Sequence, residues 1–260
     1  MRVALGIAYR GTAYQGWQSQ PGGRTVQDQV EAALSAFADQ PVRSICAGRT
    51  DAGVHALNQV IHFDTPLNRD SEAWQRGTNR HLPADIAVQW CRFVPASFHS
   101  RASALGRRYA YVLLESRVRP ALEAGHVGWT FRRLQAQPML DAARVLVGEH
   151  DFSAFRSAEC QAPSPVKTLR SLTVERRGDY WRFDFDADAF LHHMIRNLMG
   201  GLVAVGSGVR DARWIGEVLA SKDRSLAAAT FAPDGLHFLG PYYDAAHAIP
   251  DRTAAMSWLP

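Results

Sequence analysis

Apolar residues in this chain fall at two spacings, and the spacings alternate along its length. Val3, Leu5, Ile7 and Tyr9 recur at every second residue, which marks a strand with one buried face. Val26, Val30, Ala33, Leu34 and Phe37 recur three and four residues apart, which marks a helix buried along one side. Thr25 stands where the N-cap of that helix belongs. The N-terminal half therefore predicts a strand over 2–10, a helix over 26–38, a strand near 43–47 and a Gly-containing loop over 48–55. A strand over 56–64 holding Val60 and Ile61, a helix over 70–80 and a strand over 86–94 follow.

A polar, aperiodic stretch from Pro95 to Gly106 reads as a connection. Beyond it, Tyr109, Tyr111 and Leu113 alternate in a strand over 107–115. A strand near 125–131 and a helix over 134–147 come next. Leu169–Arg177 and Tyr180–Asp186 flank Gly178-Asp179, a hairpin signal, and helices are expected over 189–207 and 211–220. Gly206-Ser207-Gly208 follows a helix rather than a strand, so it reads as a helix terminator and not as a nucleotide loop. His237–Pro260, rich in Pro, Tyr and Asp, is expected to wrap the surface. Strands interleaved with helices in both halves predict an α+β fold of two subdomains, 1–105 and 106–260, with which a ferredoxin-like arrangement is compatible.

Composition excludes several classes. No apolar run approaches the roughly 20 residues of a membrane helix. The N-terminal apolar stretch alternates and is followed by Arg10, Gly11 and Thr12, so a secretory signal is not expected. Cys46, Cys91 and Cys160 are odd in number and widely spaced, which suggests neither a disulfide framework nor a zinc site and fits a reducing cytoplasm. The net charge is +4, and Lys167 and Lys222 are the only lysines. Arginine's planar fork suits phosphate contacts and stacking on bases, although codon usage accounts for the same bias.

The run most pointed toward chemistry is Ala47-Gly48-Arg49-Thr50-Asp51-Ala52-Gly53-Val54-His55-Ala56. It lies between two apolar strands. Its glycines permit positive φ and close approach of a ligand. A carboxylate displayed there beside a cation can stay ionised and act as nucleophile or base. On the helix expected near 190–205, Leu191, Met194, Ile195, Leu198, Leu202 and Val205 share one face, while His192, His193, Arg196 and Asn197 fall on the opposite one. The His192-His193 pair has no ligand-like partners at metal spacing.

The ten-residue run around Asp51 resembles the active-site motif of the tRNA pseudouridine synthase A family. The resemblance continues, in the family's order, through Tyr14-Gln15-Gly16-Trp17-Gln18, Arg107-Arg108-Tyr109-Ala110-Tyr111, Ser157-Ala158-Glu159-Cys160-Gln161, Phe190 to Asn197 and Ala232-Pro233-Asp234-Gly235-Leu236. His237 departs from it, standing where the family has a tyrosine.

The resemblance implies the pseudouridine synthase fold: two ferredoxin-like or RRM-like subdomains with a central active-site cleft. It implies isomerisation of uridine to pseudouridine at positions 38–40 of the tRNA anticodon stem-loop, in a homodimer that reads tRNA shape. Asp51 would be the catalytic carboxylate, Arg196 the cation presented to it, and Tyr109 the platform over the target base, its hydroxyl available for proton transfer. Arg49 and His55 would hold the displaced backbone. Arg107 and Arg108 would meet phosphates or face water, a choice the sequence leaves open. The reaction is redox-neutral and loses no group, so no cofactor and no metal are expected, and neither DNA nor a membrane is expected as a partner. Two rivals come from other classes. One is a non-catalytic structural RNA-binding protein. The other is a glycosidase or nuclease, for which the second carboxylate or the several acidic ligands are not evident.

Overall fold

The computed structural model describes residues 1–251. In chain order its elements are β1 (Arg2–Tyr9), α1 (Val26–Ala38), β2 (Ile45–Cys46), β3 (His55–Asp64), α2 (Ser71–His81), β4 (Ile86–Val94) and β5 (Ala104–Glu115). Then come β6 (Gly128–Thr130), α3 (Ala136–Leu146), β7 (Gly148–Asp151), β8 (Val166–Arg177), β9 (Tyr180–Ala187), α4 (Met194–Gly206), α5 (Ala212–Ser221) and β10 (Leu236–Tyr243). The chain divides into two compact units: Met1–Gly106 with the segment from His237, and Arg107–Leu236. Among the described residues no helix is long and apolar enough to cross a membrane.

In the first unit the order βαββαβ folds as a ferredoxin-like sheet, β4-β1-β3-β2, with antiparallel neighbours throughout. α1 packs on α2, and α2 on β4. Local chemistry sets the starts of these helices. The Thr25 hydroxyl accepts the Asp28 N–H, and the Asp70 carboxylate accepts the Ala73 N–H, so each satisfies a donor that the first helical turn leaves orphaned.

Of the tail expected over His237–Pro260, residues 252–260 lie outside the described residues, and the part before them departs from expectation. Instead of wrapping the surface, β10 joins β3 in parallel, pairing His237 with His55 and Phe238 with Ala56. Leu236, Phe238 and Leu239 are buried, and this apolar run is what takes the strand inside. Tyr243 and Ile249 then cover the core formed by Ala4, Ala47, Val60, Trp90, Val94 and Phe98.

In the second unit β7, β8 and β9 form an antiparallel meander beside β5, in the order β5-β9-β8-β7, and β6 pairs with β5 in parallel. The Gly178-Asp179 hairpin is present. The four-residue strand β7 has no counterpart in the sequence reading, because Gly148–Asp151 carries no alternation. α3 packs on α4, α5 and β8. The Asp211 carboxylate caps α5 by accepting from the N–H groups of Arg213 and Trp214. α4 closes at Ser207, as the Gly-Ser-Gly run predicts.

α4 also begins later than its periodicity predicts. His193, at φ 61°, is the N-cap, so His192 and His193 lie ahead of the helix rather than on its polar face. Asn197 is not on a solvated face either. It is fully buried, donating to the Phe155 carbonyl at 2.8 Å and accepting from Thr230 at 2.7 Å. The helix is enclosed on nearly every side, so the face opposite its apolar stripe must find polar partners in the protein.

His62, buried on β3, ties that strand to the Ser100 turn. The Ser100 N–H donates to its Nδ1 at 3.2 Å. Burial, with His99 and Arg2 nearby, pushes the imidazole down from 6.5 to about 4. The folded state therefore takes up this proton later than the unfolded chain does. The stability tied to the neutral ring is complete above pH 6.5 and is lost as pH falls toward about 4. We expect wild-type stability to drop by about 2–3 kcal/mol from this group across that window. His62→Asn, followed by denaturant titration at several pH values, should show a visibly shallower fall; an unchanged slope would show that His62 does not titrate this way.

Candidate active site

The Asp51 loop leaves β2 and enters β3, so its backbone groups lack ladder partners and must find others. Ala47 N–H donates to Val60 O at 2.8 Å, and the Gln59 side chain brackets Gly48, its amide nitrogen donating to the Gly48 carbonyl. On the far side of the loop, Val54 N–H donates to the Asp51 carbonyl at 3.2 Å.

The segment after β1 wraps this loop. Trp17 N–H donates to Thr50 O at 3.0 Å, and Gly53 N–H donates to Tyr14 O at 3.4 Å. The Thr50 side chain is held as well, its Oγ1 lying 2.7 Å from the Tyr9 hydroxyl on β1. Gly16 makes the wrap possible. Its φ is +85°, and a Cβ there would stand 2.6 Å from the Thr50 carbonyl oxygen. Thr50 is buried by these contacts, Asp51 is half-buried and Arg49 is exposed.

His55 is buried at the base of the loop. Its Nδ1 accepts the Gly11 N–H at 3.1 Å, which requires a lone pair on that nitrogen. Its ring stacks on His237, with centroids 4.7 Å apart and planes 21° apart. The departure at 237 thus falls directly against the loop's anchor.

The second unit positions the other residues singled out in the sequence. Arg107, Arg108 and Tyr109 lie on β5, where Arg108 is directly opposite Asp186 on β9. Arg108 Nε approaches the Asp186 carboxylate at 3.4 Å, and Arg107 donates to the Asp188 carbonyl at 3.0 Å. Alternation puts Arg107 and Tyr109 on one face of the strand and Arg108 on the other. The Tyr109 ring is buried edge-on against Phe190, with centroids 5.2 Å apart.

Arg196, half-buried in the first turn of α4, donates from Nε to the Phe231 carbonyl at 2.8 Å, while Phe231 N–H returns to the Arg196 carbonyl at 3.1 Å. Further contacts hold the 227–232 segment in place. Arg224 donates to Ala228 O at 2.9 Å and to Thr230 Oγ1 and Asn197 Oδ1 at 3.1 Å each. The Tyr111 hydroxyl donates to Ala232 O at 2.8 Å. Burial raises the Tyr111 phenol well above its ordinary range, with Asp234 adding to the shift and Arg196 opposing it, so the group remains a donor. Gly200 admits the segment, since a Cβ there would meet the Ala229 carbonyl at 2.3 Å.

Sequence reasoning missed Tyr9, Gln59, Asn197, Tyr111 and Arg224. Tyr9 and Tyr111 act on segments 41 and 121 residues away, and only the motif placement of Tyr111 and Asn197 beside named residues hinted at any of the five. What the two units offer chemically is a carboxylate on a braced loop, an aromatic ring in a strand and a guanidinium whose orientation is set by a backbone carbonyl.

Comparison with known proteins gives a consistent result. A family model described as tRNA pseudouridine synthase matches residues 6–101 and 142–244. The chain is 69% identical over 260 residues to tRNA pseudouridine synthase A of Methylibium petroleiphilum, covering all of both chains. It is 61% identical over 264 residues to tRNA pseudouridine synthase A of Polaromonas naphthalenivorans, again covering all of both.

Gly16→Ala should cost about 1–3 kcal/mol, because an L side chain at that φ is strained and crowds the Thr50 carbonyl. Denaturant titration measures the cost, and amide exchange at Trp17 should accelerate if the Thr50 bond is released. A variant as stable and as protected as wild type would show that the wrap does not brace the loop.

Proposed function

This chain belongs to the tRNA pseudouridine synthase family, a family of isomerases, and from that premise we propose that it converts uridine to pseudouridine at positions 38–40 of the tRNA anticodon stem-loop, with Asp51 as the catalytic carboxylate. The observation that carries the reading is the Asp51 loop itself. It presents a half-buried carboxylate between Gly-flanked turns, and its backbone is braced by Trp17, Val60 and Gln59. Such bracing confines the carboxylate to a narrow range of positions before substrate arrives, which is how a fixed group lowers a barrier.

The reaction breaks the bond between ribose C1′ and uracil N1 and makes one between C1′ and C5. The C5 proton departs and N1 regains one, so atoms and electrons balance within the substrate and a proton. The target base leaves its stack first, at a cost of about a few kcal/mol. In this reading Arg196 is the cation that keeps Asp51 ionised, and its hold on the Phe231 carbonyl supports a fixed orientation. Tyr109 stacks on the uracil, and its hydroxyl moves a proton. Arg49, exposed on the loop, and Arg107 take backbone phosphates. His55 serves the substrate indirectly by anchoring the loop. The enzyme works in the cytoplasm as a homodimer, without cofactor or metal.

Asp51→Asn should abolish pseudouridine formation while leaving tRNA affinity within about tenfold, or about 1.4 kcal/mol. Turnover retained in that variant removes Asp51 from the chemistry. Wild-type protein that binds tRNA without forming pseudouridine would favour the structural RNA-binding alternative.

Tyr109 separates into two functions. Tyr109→Leu removes ring and hydroxyl, and loss of stacking should cost roughly 1–3 kcal/mol in binding. Tyr109→Phe keeps the ring and should bind normally, but single-turnover formation should slow by about 10²–10⁴-fold if the hydroxyl carries the proton. Full activity of the Leu variant would take Tyr109 out of the site.

A further inference from the structure

The second unit carries a basic cavity that the catalytic reading does not use. Its volume is about 410 Å³, and Arg156, Lys222 and Arg224 line it together with Ser153, Ser157 and Asp223. The two guanidiniums are held by neutral groups. Arg156 donates from Nη2 to the carbonyls of Cys160 and Ala162 at 2.5 and 3.1 Å. Arg224 spends its two terminal nitrogens on the 227–230 carbonyls and hydroxyl and on Asn197. Among the described residues all of their hydrogen-bond acceptors are neutral oxygens. Each is therefore oriented in advance by neutral groups; Arg156 keeps the N–H groups of Nη1 and Nε unused by these bonds, and Arg224 keeps only its Nε–H.

The remaining charges leave the cavity positive. Lys222 sits in the left-handed C-cap of α5, with its ammonium 3.2 Å from the Asp151 carboxylate. Asp223 is occupied by Ser225, accepting from its N–H and its hydroxyl at 2.8 Å each. The pre-oriented Arg156 guanidinium, the Arg224 Nε–H and the Lys222 ammonium, with the Ser153 and Ser157 hydroxyls beside them, suit a tetrahedral anion with several oxygens. A carboxylate side chain of a protein partner would use only one edge of that donor set.

We propose that this cavity holds a backbone phosphodiester of the bound tRNA, as a subsite separate from the residues that handle the target uridine. The inference rests on the tRNA reading above. It explains why two arginines beside a lysine are held in place by neutral groups and not by carboxylates.

The test measures tRNA affinity across a potassium chloride series for wild type, Arg156→Gln, Lys222→Gln and Arg144→Gln. Arg224 is left intact because it also braces α4. Arg144 lies on α3 of the same unit, 71% exposed and paired with Asp141, and it controls for loss of any surface charge. Arg156→Gln and Lys222→Gln should each lower the slope of log affinity against log salt by about 0.7–0.9 and weaken low-salt binding about three- to tenfold. Arg156→Lys, which keeps the charge, should recover most of the slope, and Arg144→Gln should change it less. If Arg156→Gln disturbs the 156–162 turn and fails to fold, Lys222→Gln decides alone. Gln variants that track Arg144→Gln would overturn the subsite while leaving the catalytic reading in place. Wild type that neither binds nor modifies tRNA would instead overturn both.

Discussion

The hydrogen bond from Trp17 N–H to the Thr50 carbonyl is the contact on which the first unit's site depends. A loop between two strands has donors and acceptors that no ladder satisfies, and unless something supplies partners it samples many conformations. Here the partners come from the segment after β1 and from Gln59 on β3. Gly16 can approach because it has no side chain, and Tyr9 reaches the Thr50 hydroxyl from β1. A ferredoxin-like sheet brings β1 beside β3, so the fold itself delivers these groups to the loop. The carboxylate of Asp51 inherits its position from backbone bonds made by its neighbours.

The second unit solves a similar problem by other means. Arg196 is a long, flexible side chain, and ordering it costs conformational entropy. The Phe231 carbonyl takes its Nε, and the segment bearing that carbonyl is itself pinned by Arg224, Tyr111 and the close approach at Gly200. Asn197, one residue along α4, closes the network by joining Arg224 and Thr230. Buried polar networks of this kind are stable only when every member is satisfied, which explains why an amide stands at a fully buried helical position.

Particular elements show how far the chain can be read directly. β1 and α1 were legible because alternation, 3.6-residue periodicity and the Thr25 cap are local signals, and each acts within a few residues. α4 was harder. Its apolar stripe was plain, but its start was not, since His193 takes a left-handed cap conformation that no periodicity reports. Asn197 looked like a surface residue because a helical wheel assumes one solvated face, and this helix has almost none. β10 looked like a surface tail because its parallel pairing with β3 joins residues 237 and 55, far beyond any local window.

The sequence by itself determined the types of most elements, the Thr25 cap, the Asp51 motif and, through resemblance, the family to which the chain belongs. These follow from interactions between near neighbours or from a motif whose residues are contiguous. Only the tertiary structure decided that His237 stacks on His55, that Gly16 lies against Thr50, that Arg224 bonds Asn197 beside Arg196, and that Arg156 shares a cavity with Lys222. Each of those depends on groups tens to nearly two hundred residues apart meeting within a few ångströms, and the free energy that brings them together is burial of apolar surface across the whole unit, which no short stretch of sequence contains.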